Sequence, residues 1–195
     1  MPTGVAIRDV REHLFAAAER VLVRDGAAAL TSRAVTTEAG VAKGVLHRHF
    51  PDFDGFLAEL IRDRVARLAV DAEALHAGAG TGSVAGRLAA TLTGLFGSVA
   101  VGLVGLLIFR DDLRARLRAD YPTGVPLLAD IVEMIAAYLE LERAAGRVAA
   151  DADPTLLAHT LIGSSHLLFA GRRDAPPAEA EVAELITSIL APVLR

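Results

Sequence analysis

Lys43 is the single lysine in a chain with nineteen arginines, and it stands inside Thr31–Phe50, TSRAVTTEAGVAKGVLHRHF. Arg33 precedes it, and His47, Arg48 and His49 follow closely. Taken alone, Lys43 and Arg48 read as a solvated helix face; inside the motif around them, donors of these types suit hydrogen bonding to base edges and phosphate oxygens. A lysine at the head of a short helix can donate to guanine O6 or N7. Gly44 lets backbone approach a surface closely, Val45 can touch a thymine methyl, and Arg33 can reach a base or a phosphate.

Such groups need a scaffold, and the surrounding residues supply one. Thr31 is an N-cap, since its hydroxyl can accept a free N–H of a first helical turn. Ala34, Val35 and Ala39 give helix Ser32–Ala39 a packing side. Gly40 suits the left-handed residue that ends a helix. Val41, Val45 or Leu46, and Phe50 then form a second apolar stripe at helical spacing. Lys43, His47 and Arg48 are left outward. Two short helices crossing steeply, the second with a basic outer face, make a helix-turn-helix, which offers its second helix to the DNA major groove.

On these residues the segment resembles the N-terminal signature of the TetR family of transcriptional regulators, roughly T-x-R-x-[IV]-A-x-x-A-G-V-[SA]-x-G-x-[LV]-Y-x-[HY]-F. Thr31, Arg33, Val35, Ala39, Gly40, Val41, Lys43, Gly44, Leu46, His49 and Phe50 stand in register. Three positions depart from it: His47 replaces the usual Tyr, Thr36 a small Ala, and Phe53 a phosphate-binding Lys. The resemblance implies that Thr31, Ser32, His47, Arg48 and His49 hold phosphates. It also implies a cytoplasmic homodimer that binds double-stranded operator DNA, most often as a repressor. An effector that moves the two reading heads off a spacing of roughly 34–36 Å would release the operator.

Composition is compatible with that expectation. The net charge is −4 and the sequence pI about 5.9, which argues against a general nucleic-acid coat. Residues 1–50 nevertheless carry seven bases against five acids, a net of +2, leaving −6 for the rest. A basic head on an acidic body suits specific rather than indiscriminate binding. His47 and His49 would add charge on protonation, so DNA affinity should rise from about pH 8 to about pH 6. With no cysteine, disulfides and thiolate metal sites are excluded.

Periodicity along the rest of the chain is helical throughout, with no alternating strand pattern. The expected fold is all-α with about nine helices: residues 1–51 a helix-turn-helix domain, residues 52–195 a helical ligand-binding and dimerisation domain. The first helix carries Val10, Leu14, Ala17, Ala18, Val21 and Leu22 and ends at Gly26. Pro51 stops the recognition helix and Asp52 caps the next. Ser83 starts a fifth helix, with a break within Gly97–Gly102 and a sixth helix running to about Ala119. Asp153-Pro154 opens the eighth.

Residues 88–109 contain no charge and are long enough to span a bilayer. Four glycines, several hydroxyls and acidic flanking at Asp111 and Asp112 favour a buried helix pair instead, and no membrane partner is expected. Candidate effector contacts are Thr91, Phe96, Phe109, Met134, Tyr138 and His166. So few polar groups point to a small, mostly apolar organic effector. For the dimer, the resemblance implies the last two helices, through Leu157, Leu161, Ser164, Leu168, Val182, Leu185, Ile186, Ile189, Leu190 and Val193.

An enzyme is the competing class. His159 and His166 lie two turns apart on one helical face, too distant to share a metal. No nucleophile elbow or glycine-rich cofactor turn is present. The expectation is therefore no catalytic residue, no metal and no cofactor. A regulator with a filled core and no effector is the other alternative.

Overall fold

The computed structural model describes residues 7–97, 99–122, 125–170 and 176–195, with side chains from residue 10 onward. The sequence also predicts disorder before about Ile7 and a loop at Tyr121-Pro-Thr-Gly; residues 1–6 and 123–124 lie outside the described residues. Among the described residues there are ten α-helices and no strand. They are α1 (Ile7–Asp25), α2 (Ser32–Glu38), α3 (Gly44–His49), α4 (Phe53–Ala77), α5 (Val84–Phe96), α6 (Ala100–Phe109), α7 (Asp111–Leu117), α8 (Leu128–Ala144), α9 (Pro154–Ala170) and α10 (Glu179–Leu190). The fold is all-α.

Most boundaries follow from local chemistry. Thr31 Oγ1 accepts the Ala34 N–H at 3.1 Å, and Ser83 Oγ accepts that of Gly86 at 3.1 Å. The Asp153 carboxylate accepts from Thr155 and Leu156, with Pro154 in the first helical position. Gly40 takes φ 66° between α2 and α3, the left-handed conformation its place demands.

One boundary differs from expectation. The anticipated sixth helix is two, α6 and α7, separated at Arg110, whose backbone is extended (φ −123°, ψ 95°). Asp111 and Asp112 then sit in the first turn of α7, where the positive end of a helix favours acids. That split brings about nine helices to ten.

The chain divides into two compact units. The first comprises residues 1–64 and 99–126, so the helix-turn-helix shares its unit with α6 and α7, beyond the expected boundary at residue 51. Its core contains Leu14, Val21, Leu46, Phe56, Leu57, Ile61, Leu103, Leu107 and Leu113, all buried. The second comprises residues 65–98 and 127–195. There α5, α8, α9 and α10 close around Leu88, Leu92, Ile135, Tyr138, Leu161, Val182, Ile186 and Leu190. Among the described residues, no single helix is long and apolar enough to cross a membrane. The uncharged stretch is interrupted between Phe96 and Ala100.

Candidate nucleic-acid interface

The interface is built from the core outward. Phe15, Phe50, Phe53 and Phe56 form an aromatic cluster. Phe56 lies 5.5 Å from Phe15, 5.0 Å edge-on to Phe50, and 5.7 Å from Phe53 in a stacked arrangement. Rings at these separations add to the burial they contribute. Leu46 on α3 and Phe50 at its C-cap are both buried and fix which face of α3 turns outward.

What turns outward is a basic strip. Lys43 and His47 lie one turn apart, as do Gly44 and Arg48, and all four are exposed. Lys43 stands at the N-cap position of α3 with helical dihedrals, so the helix opens at Gly44, later than the apolar stripe from Val41 implies. A methyl group added to Gly44 would meet nothing within 4 Å. Val45 and His49 are half-buried. Arg33 is exposed on α2 and, like Lys43 and Arg48, makes no ion pair among the described residues.

The neighbouring charges explain why these three cations stay available. Glu38, the one acid on α2, is gripped by Arg20 Nε at 2.7 Å and Arg24 Nη1 at 2.8 Å. Arg20, and after it Arg24, hold the Glu38 carboxyl below its ordinary range. The nearest acid on the N-terminal side of the basic strip is thereby neutralised, and α2 is tied to α1 in the same step. His13 adds a second tie, its Nε2–H donating to the Ala39 carbonyl at 2.8 Å. That ring is committed to structure, whereas His47 is open to solvent. The charge count alone shows neither tie, because it does not say which arginines are spent.

The remaining expected phosphate holders behave differently from one another. Thr31 is exposed and its oxygen accepts in the cap, which leaves the hydroxyl hydrogen able to donate outward. Ser32 Oγ is shielded from solvent and makes no hydrogen bond, so it reaches a phosphate only after rotating. Thr36, in place of the small residue, is buried. Its hydroxyl donates to the Ser32 carbonyl at 2.9 Å, so the extra polar group is satisfied within the helix. Phe53 lies under the Arg110 guanidinium, 5.6 Å from the ring centroid, and Arg110 pairs with Asp54 at 3.1 Å.

The expected effector contacts are not gathered at one point. Phe96 and His166 do meet, with ring centroids 6.1 Å apart, and Phe169, which the sequence reading left out, stacks on Phe96 at 5.4 Å. Thr91 is half-buried on the same helix as Phe96. Met134 and Tyr138 are fully enclosed in the core of the second unit. Burial, and then the nearby Glu142 carboxylate, push the Tyr138 phenol well above its usual range. Phe109 belongs to the first unit and is 87% exposed.

Of the residues expected at a dimer interface, Leu161, Val182, Ile186 and Leu190 are buried within the chain and have no surface to give a partner. Leu157, Ser164, Leu168, Leu185, Ile189 and Val193 retain part of theirs. Leu156 and Leu167 on α9, absent from the expected set, are 63% and 74% exposed. His159 Nδ1–H donates to the Thr155 carbonyl one turn back at 2.8 Å.

Comparison with known proteins bears on the fold and on the N-terminal segment. Residues 14–60 match the family model for bacterial regulatory proteins, tetR family. No curated protein matches the sequence. Among solved structures, the chain is similar to a TetR-family transcriptional regulator from Mesorhizobium loti, at TM-score 0.68 and 19% identity over 96% of this chain and 98% of that one. It is similar to another from a Rhodococcus species, at TM-score 0.68 and 22% identity over 96% and 100%. A third likeness is to the multidrug binding protein EbrR complexed with malachite green, at TM-score 0.56 and 24% identity over 92% and 97%.

Proposed function

We propose that this chain, whose N-terminal region is of the tetR family and whose fold is that of its solved members, is a DNA-binding transcriptional regulator rather than an enzyme. The observation carrying this reading is the outward strip of Lys43, Gly44, His47 and Arg48, beside an exposed Arg33, with no acid left unpaired on α2. In this reading Lys43 and Val45 read base edges and Gly44 permits close approach. Arg33, Thr31, Ser32, His47, Arg48 and His49 hold the flanking backbone. Two copies place two such helices roughly one DNA turn apart on a two-fold site. The partly exposed leucines of α9 and the outer residues of α10 are the surface proposed to pair them.

Repression relieved by a mostly apolar effector is the proposed mode of action. That a small molecule is the effector is supported by the likeness to EbrR, complexed with malachite green and with imidazole. The Phe96–His166–Phe169 group is where an aromatic effector would find ring contacts. One observation favours the alternative of a regulator without an effector: Met134 and Tyr138 already fill the core. A thermal-shift screen with hydrophobic metabolites separates the two readings, since a ligand that binds only the folded state raises the melting temperature. The proposal itself is tested by footprinting on DNA flanking the coding region. Protection by the wild type, lost in Lys43→Ala and Arg33→Ala, is the expected result. Equal protection by all three proteins would overturn it.

A further inference from the structure

We propose that the first unit holds a second small-molecule site, for an organic carboxylate with a short apolar body. A cavity of about 490 Å³ opens there, lined by Arg11, Arg62, Arg116 and His49 together with the single acid Glu59. Exposed Pro51, beside the largely buried Phe50 and Ala58, supplies its apolar part. The volume falls in the range of small-molecule sites and exceeds what an inorganic phosphate fills. Guanidinium donors with exchangeable acid partners, beside a small apolar surface, select a carboxylate on a short hydrocarbon body.

Arg62 is fully engaged by Glu59 and Asp120, whereas Arg11 and Arg116 are held ready rather than saturated. Arg11 lies 4.6 Å over the Phe50 ring and gives one N–H to Glu59 at 2.9 Å. Arg62 bridges Glu59 and Asp120, and Arg116 gives one N–H to Asp52 at 2.6 Å. All three side chains remain 35–41% exposed. Partly exposed ion pairs exchange partners at little cost, and a guanidinium fork binds carboxylate best in two parallel bonds. An incoming carboxylate therefore competes with Asp52 and Glu59 for Arg116 and Arg11. His49 lies on α3 and Asp52 caps α4, so occupancy acts on the residues that seat the recognition helix. Any effect on DNA rests on the DNA-binding reading above, whereas ligand binding itself does not.

The test is calorimetric titration of the full chain, without DNA, using sodium benzoate, with neutral benzamide and inorganic phosphate as comparators. Benzoate is expected to bind one per chain, more tightly than phosphate, and benzamide not at all. Arg116→Gln should weaken benzoate by about tenfold. Glu59→Gln, which removes the acid competing for Arg11, should tighten it, a change of sign that mere loss of stability does not give. Benzamide binding as well as benzoate, or affinity unaltered in both variants, overturns the proposal. In a separate DNA titration, Arg116→Gln should leave the salt dependence of binding unchanged. A slope lowered by about one would assign that arginine to an operator phosphate and also overturn it.

Discussion

Gly44→Ala separates what the recognition helix needs for folding from what it needs for DNA. Gly44 is the first residue of α3, with a helical rather than left-handed backbone. A methyl group there meets nothing within 4 Å in the free protein. The substitution therefore costs no packing, and it removes conformational freedom from the unfolded chain. A gain of about 0.4–1 kcal/mol in folding stability follows. If backbone at Gly44 lies against the groove, the same methyl occupies space the DNA must fill, and a loss of about 1.4 kcal/mol, or tenfold in affinity, is expected. Urea unfolding followed by circular dichroism reads the first quantity, and fluorescence anisotropy on a labelled operator at fixed salt reads the second. Opposite signs are the predicted signature. Affinity that stays level or rises with stability would show that Gly44 faces away from DNA, and the assigned orientation of α3 would fall with it.

Three further outcomes follow from the same geometry. Lys43→Ala should weaken operator binding by about 1–3 kcal/mol and relax preference at one base pair, whereas Arg48→Ala should weaken all sequences alike and lower the salt slope by about one; binding titrations across salt and operator variants distinguish them. Phe56→Ala removes a buried ring contacting three others and should cost about 3–5 kcal/mol in urea unfolding, far more than Phe53→Ala at its half-buried edge. The Gly55 amide, and after it Arg116, hold the Asp52 carboxyl below its ordinary range, so its charged form contributes stability above the unfolded carboxyl value that is lost as pH falls through the lowered one. The difference in melting temperature between wild type and Asp52→Asn should accordingly persist near neutrality and close below about pH 4.

What could be read from the residues was local. Thr31, Gly40, Asp52, Ser83 and Asp153 act on neighbours within three or four positions, so caps and turns emerged where the side-chain chemistry demands them. The basic strip followed for the same reason, because Leu46 and Phe50 set the inward face by spacing alone. The division at Arg110 carried a weaker sign. No glycine or proline marks it, and only the acid pair Asp111–Asp112 announces a new helix N-terminus. Long-range facts were beyond reach. That α6 and α7 join the first unit depends on burial of Leu103, Leu107 and Leu113 among residues far away in sequence. The apolar sides of α9 and α10 looked alike until the fold assigned Leu161 and Ile186 to the interior and Leu156 and Leu167 to the outside.

Lys43 has a consequence that reaches past recognition. Because every other basic side chain capable of holding a phosphate is a guanidinium or an imidazole, this residue is the only primary amine borne on a side chain. An acylating reagent at mild pH thus finds one internal target, exposed and at the tip of α3. The unmutated protein comes with a chemical reporter already installed at the spot where its contact with the double helix is proposed, and shielding of that amine from acetylation would register occupancy directly.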